Sequence, residues 1–467
     1  MRKAALVVAL CAFATVPAFA QNTDIEALAG LQFNFGNPGA RSLGMGGAFL
    51  GLADDASAAE ANPAGLTILR KPEVSIEARH YQEQQIFTTG GTFPDITRTA
   101  FSHYSKRAEV TFASFVYPHK NWVVGAYYHE PLRNVGAGRD VEISTNQLTG
   151  QVTASVPNFF LATKNPTGPL TSAECEALKK QQNDIFACAE YQVLPFVSAL
   201  DVQERTYGIT GAYNFGKLSV GGTLRYQQFA ESAVTFRFDP DTLQPTSVVA
   251  QSSGNLASAT SKPGNEGKFT FAVGGKYRLN ERFSAGASYK KGAKFLAPTF
   301  IANDQTNGVL VRVAETEFHM PDVYGVGVSL KPTPWELIIN ADAVRVTYSH
   351  LVDKFFSINS DIRALGNVFK ANDVTELHVG GEYAILSLKL PVFVRAGGWR
   401  DPVHSVQFAG PTNSISTIAD AILYPKGESQ THYSVGAGTA WKNFQIDAAY
   451  DRSQHYRVGS ISMVARF

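Results

Sequence analysis

Beyond residue 70, apolar and polar positions alternate with a period of two along much of the chain. In 217–229, Leu218, Val220, Gly222, Leu224 and Tyr226 fall on one face, with Ser219, Gly221, Thr223, Arg225 and Gln227 on the other. "ERFSAGASYK" (281–290), "THYSVGAGTAW" (431–441) and "NFQIDAAYD" (443–451) alternate in the same way. Successive side chains of a strand point to opposite faces, so the pattern predicts strands; a soluble sandwich would show it too.

The spacing of these segments narrows the choice. Fourteen strands are predicted near 73–81, 109–117, 122–130, 207–215, 218–229, 268–278, 282–290, 322–331, 335–346, 375–384, 390–400, 431–440, 443–451 and 457–467. Every second connection is tight ("PHKN", "GK", "LNE", "PTP", "ILSLK", "WKN"), and the others are long, the longest running from Pro131 to Thr206. Short turns at one rim and long loops at the other predict an all-β fold, an antiparallel outer-membrane barrel with its short rim toward the periplasm and residues 131–206 outside. The polar face then turns inward and carries Glu77, Arg79, Arg225, Glu376, His378, Glu382, Arg395 and Asp447. Aromatic residues near strand ends (Trp122, Tyr127, Tyr128, Tyr289, Trp335, Tyr348, Trp399, Tyr433, Trp441, Tyr450) suit interfacial girdles, although each could equally sit in a core. The terminal "GSISMVARF" puts Ile461, Met463, Ala465 and Phe467 on one face and looks like the strand signal read by the barrel assembly machinery.

The compartment agrees. Arg2 and Lys3 precede an apolar run from Ala4 to Val16 and the small-x-small site Ala18-Phe19-Ala20, which predicts a signal peptide over 1–20 and a mature start at Gln21. Losing those two basic residues takes Lys+Arg from 41 to 39 against 40 Asp+Glu, a near-neutral chain that gives nucleic acid no reason to bind. No later run approaches the ~20 apolar residues of a spanning helix. Cys175 and Cys188, with twelve residues between them, read as one local disulfide in an oxidising compartment, with two free thiols as the alternative. No metal or other cofactor is expected, and the absence of Gly-x-Ser-x-Gly and His-Glu-x-x-His argues against a hydrolase.

Residues 37–69, "NPGARSLGMGGAFLGLADDASAAEANPAGLTIL", break the alternation. Phe49 stands where a dinucleotide fingerprint needs its third glycine, and no Gly-Lys-Ser/Thr follows, so a phosphate loop is excluded. Asp54 or Asp55 can cap a short helix over Ala56–Ala61, and Pro63 forces Asn62 out of the helical region and ends it. The many Gly and Ala residues allow close packing against a surrounding wall. A compact plug with short helices, within 21–70, is the expectation, followed by a barrel over 71–467.

"GARSLGMGGAFLGLADDASAAEANPAGL", with Asn62-Pro63-Ala64-Gly65, resembles the N-terminal hatch of the FadL-type outer-membrane transporters of long-chain fatty acids and hydrocarbons. "MPDVYGVGVSLKPTPWELIINAD" and "HYSVGAGTAWKNFQIDAAYD" look like that family's strand pairs. The resemblance implies a plugged fourteen-stranded barrel that takes up hydrophobic molecules passively, catches them with extracellular loops, and releases them sideways beside a kinked third strand. The third strand here is "WVVGAYYHEP", where Gly125 is the candidate for a kink or bulge and Pro131 ends the pairing. In the 131–206 loop, Phe159, Phe160 and Phe186 are candidate capture residues. Inside, Arg79, Arg225 and Arg395 are candidate partners for a carboxylate, which tilts the expected cargo toward fatty acids; the alternative is that they pair with Glu77, Glu376, Glu382 and Asp447 or anchor the plug. The expected partners are a hydrophobic ligand, outer-membrane lipid and the assembly machinery, with the protein a monomer. The alternative is a non-transporting barrel, structural or an attachment point for a secretion system.

Overall fold

The computed structural model describes residues 34–85, 103–135, 153–154, 191–192, 196–237, 256–262, 264, 266–303, 309–332, 336–352, 368–410 and 427–467. Fourteen antiparallel strands form a closed wall: β1 Glu73–Gln85, β2 His103–His119, β3 Trp122–Val135, β4 Phe196–Asn214, β5 Leu218–Arg237, β6 Gly267–Arg278, β7 Phe283–Lys290, β8 Val323–Leu330, β9 Leu337–Val346, β10 Val374–Ile385, β11 Val392–Asp401, β12 Gln430–Trp441, β13 Phe444–Arg452 and β14 Tyr456–Arg466. The ring closes where β1 pairs with β14, from Glu73↔Arg466 to Glu83↔Tyr456. Closure removes both sheet edges, which is what a strand-built wall requires in hydrocarbon.

The alternation is that of a protein turned inside out. Ile209, Phe269, Val435 and Ile461 are 58–70% exposed on the outer face, while Glu77, Arg225, Arg395 and Asp447 on the inner face are at most 5% exposed. Such a wall is soluble only in lipid, and it places the chain in the outer membrane. Among the described residues no helix is long and apolar enough to span. Trp122, Tyr433, Trp441 and Tyr450 stand exposed on the wall, as girdle residues should. Tyr127, Tyr348 and Trp399 do not: all three are buried inside, because their strand parity or, for Tyr348, a turn beyond β9 points them into the lumen. Trp335 lies outside the described residues.

Three differences from the expected boundaries matter. First, β3 continues to Val135 and β4 begins at Phe196, so both ends of the expected 131–206 loop belong to the wall. Second, ribbons at Leu256–Lys262, Lys294–Asn303 and Val309–His319 pair in succession beyond the upper part of β5, raising one side of the barrel at the long-loop rim. Third, the β13–β14 connection is short although it lies on that rim.

Inside, residues 34–69 are folded into α1 (Ala40–Gly44), α2 (Ala58–Ala61) and a 3-10 turn (Pro63–Ile68). Pro63 has the expected effect: Asn62 is extended at φ −154°, ending α2, and its side chain accepts from the Ala64 N–H to start the turn. Asp55 accepts from the Ser57 N–H at 2.9 Å, ahead of the helix.

Candidate functional site

The lumen has two tiers. In the lower one, wall side chains reach in to backbone groups of the N-terminal segment. Asp342 of β9 accepts from the Phe49 and Leu50 N–H groups at 2.6 and 2.8 Å. Glu77 of β1 accepts from Gly39 N–H at 2.9 Å, and Ser462 Oγ of β14 from Ala40 N–H at 3.2 Å. Ser284 Oγ of β7 donates to the Gly51 carbonyl, and Lys276 Nζ of β6 to those of Leu52 and Ala53. These contacts supply partners for a short-helix segment whose own hydrogen bonds leave many groups unmet. Where the segment comes closest, side chains are missing: Gly46 has φ +65°, and a Cβ there would stand 2.6 Å from the Gly398 nitrogen.

Asn62 is fully buried and donates to the carbonyls of Leu50 and Gly275 at 3.2 and 3.1 Å, tying the segment to itself and to β6. A Cβ at Gly274 would collide with its side chain, and one at Gly221 with Pro63 and Ala64. The Asn-Pro-Ala-Gly motif is thus the point where segment and wall interlock. Nearby, Glu60 of α2 sits 3.0 Å from Lys290 and 3.4 Å from Arg225, and accepts from the Tyr127 hydroxyl. Burial alone would raise its carboxyl, but Arg225, Lys290 and His129 together hold it well below the ordinary value.

The upper tier is apolar. Along β5 the inward positions read Thr223, Arg225, Gln227 and then Phe229; along β9, Asn340, Asp342, Val344 and Val346. Phe229 stacks on Phe318 at 4.3 Å and on Phe295 at 5.4 Å between ring centres, and Leu132, Val202, Val346 and Val374 complete the lining. Buried carboxylates lie beside this cluster, Glu204 and Glu231 flanking Val202 and Phe229 and Glu376 accepting from Tyr348 at 3.3 Å, and His404 stacks on Tyr348 at 4.0 Å. No sequence motif marks the cluster. The available signal was the change from polar to apolar inward positions near the ends of β5 and β9.

The wall is discontinuous beside this cluster. Pairing of β2 with β3 runs from His119↔Trp122 only to Phe112↔His129, whereas β2 stays paired with β1 up to His103 and β3 with β4 up to Val135. Both strands carry an irregularity where they part. Thr111 is skipped in the β1–β2 register, and Glu130-Pro131 bulge from the β3–β4 register. Pro131 has no N–H to offer a ladder. The bulge expected at Gly125 is therefore found at Glu130-Pro131; Gly125 pairs regularly with Val116 and Thr210. Its inward face is tight, since a Cβ there would lie 2.9 Å from the Phe115 oxygen.

The three inward arginines are occupied. Arg395 is fully buried between Glu382 (2.7 Å) and Asp447 (2.8 Å), with no face toward a ligand. Arg225 serves Glu60 and the Lys291 carbonyl, and Arg79 bonds Glu77 and the Asn37 carbonyl at 2.7 Å each. Arg79 borders a cavity of about 70 Å³. Of the two readings of these arginines, the geometry matches pairing with wall and segment carboxylates rather than free carboxylate receptors. Phe159, Phe160, Phe186, Cys175 and Cys188 lie outside the described residues.

No family model and no curated protein matches the chain. Among solved structures, a Pseudomonas aeruginosa FadL homologue aligns with a TM-score of 0.58 at 13% identity, over 93% of this chain and 100% of its own. The fold is that of the FadL-type barrels. The CymD monoaromatic hydrocarbon channel (TM-score 0.53, 15% identity, 93% of this chain and 99% of its own) and the Ralstonia pickettii toluene transporter TbuX (0.53, 16%, 93% and 100%) share the FadL-type architecture. At these identities the likeness is one of fold.

Proposed function

We propose that this FadL-type barrel carries uncharged hydrophobic compounds passively across the outer membrane. Residues 34–69 act as the plug, the apolar cluster around Phe229 parts to form a chamber that collects the ligand, and the split between β2 and β3 releases it sideways into the bilayer. The reversal of inward polarity above the plug supports this reading: an apolar tier above a charged one has no use for ions, yet offers a greasy molecule a better solvent than water. A sideways exit then leads into hydrocarbon, and the β2–β3 discontinuity lies at chamber height. The structural neighbours named as a hydrocarbon channel and a toluene transporter support the same reading.

Uncharged cargo is favoured over fatty acids for an electrostatic reason. A carboxylate entering the chamber would meet Glu204, Glu231 and Glu376 while the arginines below are already paired, and an unpaired buried charge is expensive. Competition between 1-octadecene and oleate for purified protein tests this. Tighter binding of the alkene is expected, unaffected by Arg79→Ala; tighter oleate binding that Arg79→Ala abolishes would overturn it.

A further inference from the structure

The membrane-facing side of β6 to β10 carries a groove of about 540 Å³, room for one long acyl chain. Its floor is built from residues with little or no side chain, Gly275, Ala287 and Ala343, and Val273, Tyr324 and Val326 form its banks. No atom lies within 4 Å of where a Cβ on Gly275 would stand, so the hollow begins at the backbone itself. The strands beneath are continuously paired, β7 with β8 from Phe283↔Leu330 to Lys290↔Val323 and β8 with β9 from Leu330↔Ile339 to Val323↔Val346. The groove therefore has no mouth into the lumen, which separates it from the route described above.

Its extracellular end meets Arg345, the first of three exposed outward arginines, with Arg400 and Arg452 further round the same rim. Arg345 donates to Thr375 at 3.4 Å and Arg400 to Thr431 at 2.9 Å, so each guanidinium is held beside a hydroxyl. Arg345 approaches Asp373 only to 3.9 Å, and among the described residues no carboxylate forms an ion pair with Arg400 or Arg452. An arginine row above an apolar slot matches a molecule with a greasy tail and an anionic head; guanidinium forks suit phosphate oxygens in particular.

We propose that this face binds a phosphorylated acyl glycolipid of the outer leaflet, one chain lying in the groove and its phosphates along Arg345, Arg400 and Arg452. Uncharged cargo would leave the arginines without purpose, and free phosphate would leave the groove without one.

Native mass spectrometry of the full-length barrel in detergent, with bisphosphorylated lipid A as the probe, tests the assignment. Wild type should retain lipid A and release its dephosphorylated form. Arg345→Ala should weaken retention by at least about tenfold, the loss of one charge-assisted bond. Gly275→Leu, which fills the floor without touching neighbouring backbone, should do the same while heat-modifiable migration stays that of the folded barrel. Equal retention by all three proteins, or of phosphate-free lipid by wild type, overturns the proposal. So does a Gly275→Leu variant that loses hydrophobic uptake while still holding lipid A, since the groove would then belong to the cargo path. Inorganic phosphate displacing lipid A at equal concentration would reduce the site to an anion patch and overturn the chain assignment.

Discussion

The lower and upper halves of the lumen are lined by the same strands, yet they are held differently. Below, an apolar cluster around Phe49, Leu66 and Phe112 is pinned by directional contacts: a carboxylate on two amides, a lysine on two carbonyls, an arginine between two acids. Such groups bind in one geometry, and removing one partner strands the other. Above, rings and aliphatic chains pack without polar partners and can repack around guests of differing shape. The difference teaches that one wall can hold a fixed geometry at one height and an adaptable one at another, which under the proposed function places rigidity at the plug and adaptability at the ligand site.

The largest effect should come from removing the lower half altogether. Deleting 40–64 takes away the segment that Asp342, Glu77 and Asn62 fix in place, and planar bilayers should change from closed to steadily ion-conducting; a silent bilayer would mean another part of the chain blocks the pore. Next comes the exit. Deleting Pro131 alone restores the β3–β4 register between His129↔Thr206 and Leu132↔Glu204, extending the wall upward. Hydrophobic uptake should fall severalfold with heat-modifiable migration intact, and unchanged uptake would remove the split from the route. Third, Asp342→Ala leaves two buried amides without their acceptor, at about 1–3 kcal/mol each. Brief channel openings are expected without loss of hydrophobic uptake, which Phe229→Ala should lower without any openings. If both variants gave the same phenotype, the two halves would not be separable.

The smallest effect is that of pH. Because the Glu60 carboxyl is held well below its ordinary value of 4.5, the stabilisation is complete above 4.5 and is lost only as pH falls through the lowered value. Wild type and Glu60→Gln should therefore keep a constant difference in conductance from neutral pH down to 4.5 and converge only on further acidification, when Glu60 itself loses its charge. Convergence already at pH 6 would contradict the pairing of Glu60 with Arg225 and Lys290.

Much of this was legible beforehand. Period-two alternation together with the sorting of short and long connections located all fourteen wall strands, because those signals arise from geometry that every spanning strand must obey. The Asn62-Pro63 corner was legible for a local reason, proline's effect on the residue before it. That inward arginines pair with inward acids was legible from the mixed charge of that face; that Arg395 in particular meets both Glu382 and Asp447 was not, since three separate strands converge on it and only register reveals that. Pro131 was legible as the end of pairing in the third strand, whereas a kink at Gly125 is not seen; that the gap opens between β2 and β3 depends on where β2 stops pairing, which the sequence does not mark. The upper cluster escaped because Phe229 and Val346 continue the inward phase of their strands with a change only of polarity.

The bond from Ala40 N–H to Ser462 joins positions 422 apart in sequence, almost the full span of the chain. The segment also bonds Glu77 of the first strand, so its docking site straddles the seam where the ring closes. That site is complete only once β1 and β14 have paired. Contacts of such separation are entropically costly until the chain is nearly all in place, which makes the seating of the segment a late event of assembly.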